Sequence, residues 1–157
     1  MQIVSANPDA IHTAAAKLAE KRNTLEVGLM VEIFHSPART IPLARAVGID
    51  RDSFASDDLQ IIFLACEMAC DEGLDRDTLF RFIENVLRQH NLWDPKAGFA
   101  PPFGPRWCAE NLHILAAGYF CPAAIKSLAG RLHDVMRRQR EALEHLRHAS
   151  RLLSEAL

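Results

Sequence analysis

The sequence predicts an all-α fold, a helical head of five to six helices with a long C-terminal helical hairpin. Two observations carry that prediction. Ala and Leu dominate a hydrophobic content of 49%, while the β-branched residues that favour strands are sparse. Apolar residues recur three and four apart, and no segment alternates with the period of two that a half-buried strand needs. At 157 residues the chain is long enough to bury a core without disulfides or a structural metal.

Each element follows from local chemistry. Asn7, Pro8 and Asp9 open a first helix with a capping side chain, a proline where its missing N–H is harmless, and an acid near the positive end. It is expected to run to about Arg22. Asn23 or Thr24 would cap a second helix, carrying Leu25, Leu29, Ile33 and Phe34 on one side and stopped by Pro37. A short helix from Pro42 to Val47 ends at Gly48. Ser56 then starts a helix on which Gln60, Glu67 and Asp71 form a narrow polar stripe, so the rest of it is expected to be buried. Gly73 closes that helix in a left-handed cap, and Asp75 or Asp77 opens the next, faced by Leu79, Phe82, Ile83, Val86 and Leu87.

Residues 91–105, with four Pro and two Gly, can only be a loop. Helix resumes from Arg106 to Phe120. After Pro122, Leu128, Leu132, Val135, Gln139, Ala142, Leu146, Ala149 and Leu153 alternate four and three apart, a seam that demands a partner helix. Arg137, Arg138, Arg140, Arg147 and Arg151 lie mostly off that seam and form a candidate partner surface. The expected organisation is an extra helix over 1–23, a head over 24–105, and a hairpin over 106–157 for self-association.

The net charge of −2 gives no general attraction to nucleic acid or anionic membrane. It is unevenly spread: from Lys126 onward seven Lys/Arg stand against four Asp/Glu, leaving −5 for the first 125 residues. Four irregularly spaced cysteines do not make a disulfide framework and suit a reducing cytoplasm. The start of the chain lacks the basic-then-apolar pattern of a secretory signal, and the longest apolar stretch, Ile114 to Ile125, is too short to span a bilayer.

The remaining motifs suggest three chemistries. Cys66 and Cys70, one helical turn apart, could offer two thiolates to a metal, but zinc sites more usually begin with a CxxC pair in a turn; buried apolar thiols are the better reading. Glu110 and His113 make a Glu-x-x-His step, which a di-iron centre needs twice, and no second step occurs. A small helical metalloprotein or enzyme using Glu110, His113 and cysteines is therefore the alternative. "IPLARAVGIDRDSF" has the rhythm of a helix-turn-helix regulator, yet Asp50, Asp52, Asp57 and Asp58 would face phosphates with only Arg51 opposing them. No P-loop pattern occurs. No cofactor, membrane contact or sequence-specific DNA binding is expected.

The stretch "DDLQIIFLACEMACDEGLDRDTLF" resembles the amino-terminal domain of the replicative hexameric DNA helicase, the DnaB-type family. The resemblance rests on Asp52 and Phe54, on Ile62-Phe63-Leu64-Ala65, on Glu72-Gly73, and on Asp75-Arg76-Asp77-Thr78-Leu79. Upstream "TLEVGLMVEIFHSP" is similar to the family's first helix, and downstream "AGRLHDVMRRQREALEHL" to its arginine-rich last one, so that residues 24–150 are covered. Phe54, Ile62, Phe63, Ala65, Gly73, Asp75, Thr78 and Leu79 are then packing and capping positions of the core. The departures are Leu59 where the family has His, the longer Pro-rich segment 93–105, the added front helix, and no counterpart of the ATPase domain in these residues.

The resemblance implies a non-catalytic interaction and oligomerisation module of DNA replication. In that family helical hairpins pair between subunits to form the collar of the ring, and the collar is where primase docks. The expected partners are a second copy through the hairpin, and primase or a replicative helicase.

Overall fold

The computed structural model describes residues 8–96, 107–117 and 121–156, with the side chains of residues 8, 109, 110 and 122 left aside. These residues form six α-helices and no strand: α1 (Pro8–His35), α2 (Pro37–Ala46), α3 (Asp57–Glu72), α4 (Arg76–Gln89), α5 (Ala109–Ala116) and α6 (Pro122–Ala156), with a 3-10 turn at Arg51–Ser53 before α3. The fold is all-α with a long C-terminal helix.

The front of the chain differs from expectation. Instead of two helices meeting at Asn23 and Thr24, α1 runs unbroken for 28 residues, so residues 8–23 are continuous with the helix that follows them. Thr24 caps nothing; its hydroxyl donates to the Glu20 carbonyl at 3.1 Å within the helix. Nothing between Ala14 and Leu29 breaks a helix as Pro would, and the alanine-rich start favours continuation. The proposed Asn7 cap lies outside the described residues. Pro37 ends α1 only by opening α2, where it occupies the first turn.

Pro42 lies inside α2 rather than at its start. Lacking an N–H, it leaves the Ala38 carbonyl without its i→i−4 donor; the Cys70 thiol approaches that oxygen at 3.9 Å. Thr40, fully buried, donates to the Ile33 and Ser36 carbonyls at 2.6 and 2.9 Å, tying α2 to the end of α1.

The core lies where α1, α2, α3 and α4 converge. Leu29, Met30 and Ile33 of α1, Ile41 and Ala44 of α2, Ile62, Phe63, Ala65 and Cys66 of α3, and Leu79, Ile83 and Leu87 of α4 are buried together. Each of the larger ones contributes about 1.5–3 kcal/mol relative to exposure. Phe54 meets Phe63 with ring centroids 5.2 Å apart. Gly73 takes φ +67 as the left-handed end of α3. Asp75 then caps α4, accepting from the Thr78 amide at 2.7 Å. Ser56 precedes α3 as expected but makes no side-chain cap bond.

The hairpin also differs from expectation. α5 is an eight-residue helix packed on α1, and the antiparallel companion of α6 is α1. Arg22 meets Gln139, Gly28 faces Leu128, and Glu32 accepts from the Cys121 amide at 2.9 Å, so one helix ascends as the other descends. That last bond sets a carboxylate at the positive end of α6. The loop expected over 91–105 is described only to Lys96. Its base is a short bridge: the Trp107 amide donates to the Leu92 carbonyl at 2.6 Å, and the Asp94 amide to the Trp107 carbonyl at 2.8 Å.

Candidate interaction surface

α6 is 35 residues long and outruns the head it packs on. Its inner half is spent inside the chain. Ile125, Ala129, Leu132 and Val135 are buried, Leu128 is half-buried against α1, and His133 holds the Val47 carbonyl at the end of α2 with its Nε2 at 3.0 Å. Of the predicted self-association seam, Leu128 and Gln139 therefore meet α1 of the same chain and Leu132 and Val135 are buried in its core, a correction to the reading that reserved them for a second copy. The sequence could not reveal this, because a four-three rhythm states that a partner exists and not which one.

Beyond Gln139 the cover thins. Ala142 is half-buried, and Ala149 is exposed. Leu143, Leu146, Leu152 and Leu153 are 48, 42, 51 and 69% exposed. Opposite them the first half of α1 contributes only half-buried Ile11 and Leu18 among exposed neighbours. The outer arm is thus two helices side by side with one seam between them, too thin to enclose its own leucines.

Where arm meets head, a polar junction replaces apolar packing. Arg22 donates from Nη1 to Gln139 Oε1 at 2.9 Å and from Nη2 to the Ser53 carbonyl at 3.2 Å, while its Nε stands 3.6 Å from Glu26 Oε2. Glu26 is buried and accepts from the Ala55 amide. Burial raises its carboxyl above the ordinary value of 4.5; the Ala55 amide and Arg22 offset part of that, and Asp58 adds to it. Asp58 in turn accepts from Trp107 Nε1 at 2.6 Å. Sequence reasoning missed this junction. The available signal was Arg22 and Glu26 at i, i+4 beside Leu25 and Leu29, where α1 enters the core.

The arginines expected to form a partner surface are all exposed. Arg137 pairs with Asp134 and Glu141, and Arg138 with Asp134 at 3.1 Å. Arg140, Arg147 and Arg151 make no ion pair among the described residues, and Arg151 reaches only His148 Nδ1 at 3.2 Å. On the other flank, Lys17, Lys21 and Arg131 line an open groove of about 280 Å³ between α1 and α6, with Glu20, Thr24 and Leu25.

The residues considered for metal or DNA chemistry are dispersed. Cys66 is fully buried and burial pushes its thiol up, which disfavours the thiolate a metal needs. Cys70 lies against α2, and exposed His113 packs edge-on against Phe80 with centroids 5.1 Å apart. The Glu110 side chain lies outside the described residues. No group of three or more metal-binding side chains occurs among those described. The would-be recognition helix α3 buries Leu59, Ile62, Phe63, Ala65, Cys66 and Ala69. Its exposed positions include Asp57, Asp71 and Glu72, with no cation. Arg45 of α2 is held by Asp71 at 3.1 and 3.2 Å and by Glu67 at 3.3 Å. No described helix is long and apolar enough to cross a membrane. The chain matches no family model, no curated protein and no solved structure.

Proposed function

We propose that this chain is a non-catalytic protein–protein interaction and oligomerisation module, and that it serves DNA replication as its resemblance to the amino-terminal domain of the replicative DNA helicase implies. Primase or a replicative helicase is the partner that resemblance suggests. The observation supporting the reading is the outer half of α6, where Leu143, Leu146, Leu152 and Leu153 are left open by their own chain. Leu146, Ala149 and Leu153 continue the seam whose inner half already packs on α1, so a second copy laid along the arm extends an existing packing pattern.

Light scattering on the intact chain and on a Leu146→Asp/Leu153→Asp variant tests the reading. Both positions are outside the core, so helix content stays unchanged. A dimer or larger assembly that falls to monomer in the variant supports it. A wild-type chain that is monomeric at high concentration, indistinguishable from the variant, removes self-association from the account.

A further inference from the structure

We infer that α5 is a latch, a short helix that lifts from α1 and α4 while the rest of the head stays folded. Asn111 is the ground for it, independently of the role of the arm. This residue is 1% exposed and shares the buried face of α5 with Leu112, Leu115 and Ala116. Neither its amide oxygen nor its amide nitrogen has a hydrogen-bond partner among the described residues. Closing α5 strips that amide of water and gives it no bond in return, a penalty that is relieved each time the helix lifts. Leucine, of nearly the same shape, would fill the place without it.

The fastenings decide which part moves. Before α5, Trp107 is buried, donates to Asp58 and bridges to Leu92 and Asp94. After it, the Cys121 amide is held by Glu32 of α1. Between these fixed points α5 has eight residues, and Cys108 gives its first turn no side-chain cap bond. At its far end, Arg76 of α4 reaches the Ala116 carbonyl at 3.4 Å, longer than an ordinary hydrogen bond. A short element held by few polar bonds and carrying an unmet buried amide opens at lower free energy than the core. Its lifting takes the edge of His113 off the Phe80 ring. Phe80 of α4 stacks on Phe34 of α1 with centroids 5.5 Å apart, and the Arg76 guanidinium lies 5.5 Å from the Phe80 ring centroid. None of these three residues belongs to α5, so the latch uncovers an aromatic pair that is already assembled.

Native-state hydrogen exchange on the full chain, followed by NMR at low denaturant concentrations, tests the latch. Amides of residues 112–116 are expected to be at least about tenfold less protected than those of residues 62–66 in α3, through an opening with the smaller denaturant dependence. In Asn111→Leu the protection of residues 112–116 should rise by about tenfold or more, because the closed helix no longer buries an unmet amide. Wild-type amides of α5 that exchange together with those of α3, with the same denaturant dependence, overturn the inference, and that result needs no variant to fold. Protection of residues 112–116 that is unchanged or lowered in a folded Asn111→Leu chain overturns it as well, since the amide would then contribute nothing to the opening.

Discussion

Arg22 of α1 donates to Gln139 of α6 at 2.9 Å, so a residue on the repeating seam of the last helix is locked to the first by a polar bond. The same guanidinium reaches the Ser53 carbonyl and faces Glu26. This side chain sits where the arm meets the head.

Arg22→Ala should be among the most damaging single changes outside the apolar core. It leaves the buried Glu26 carboxylate without its cation and releases Gln139, at a cost of about 2–4 kcal/mol. Gln139→Ala, which removes only one neutral acceptor, should cost about 1 kcal/mol. Urea denaturation of the two variants checks the ranking; equal losses would place no special weight on the buried carboxylate.

Glu26 also sets a pH dependence. Its folded-state pKa is raised, chiefly by burial, so between its ordinary value near 4.5 and the raised one the folded chain holds a proton that the unfolded chain releases. Stability from this group therefore declines as pH rises through that window and is flat above it. Glu26→Gln keeps an acceptor for the Ala55 amide and cannot ionise. The stability of the wild type relative to this variant should fall with rising pH above 4.5, measured by thermal melts across pH; a rise would reverse the assignment.

Trp107 is buried and donates to Asp58 while its backbone closes the bridge to Leu92 and Asp94. Trp107→Phe should cost about 1–3 kcal/mol by leaving Asp58 without that donor and reducing the packed volume. Amide exchange at Asp94 and at position 107 should quicken together; unchanged exchange would show that the bridge stands without the indole.

Gly73→Ala should cost about 1 kcal/mol, since a Cβ there meets nothing within 4 Å yet must adopt φ +67. Gly73→Asn should cost less, because asparagine tolerates the left-handed region. A melting temperature unchanged in the alanine variant would mean that the end of α3 relaxes.

Much of the head was legible because its signals are local. Phe54, Ile62, Phe63, Ala65 and Leu79 are all buried, and Gly73 and Asp75 end and begin helices as read. Asn23 and Thr24 misled because a capping residue caps only where the backbone leaves the helix, and no breaker there forces it to. Pro42 misled because a proline reads as a helix start or stop, whereas here its missing bond is tolerated within the first two turns. The arm was half legible. The seam's rhythm was visible, but its inner half closes on α1 through contacts more than a hundred residues apart in sequence, and no local pattern specifies such a pairing. The arginines were visible as exposed charge; which ones stand unpaired depended on where Asp134 and Glu141 point.

Hydrogen exchange along α6 as a function of protein concentration tests the central claim most directly. Amides of residues 128–139, packed on α1, should be protected at every concentration. Those of residues 143–156 should exchange quickly in dilute solution, gain protection as concentration rises, and lose that gain in the Leu146→Asp/Leu153→Asp variant. Protection of the outer half that is as strong as the inner half's and independent of concentration would contradict the account, because that stretch would then need no second molecule to cover it.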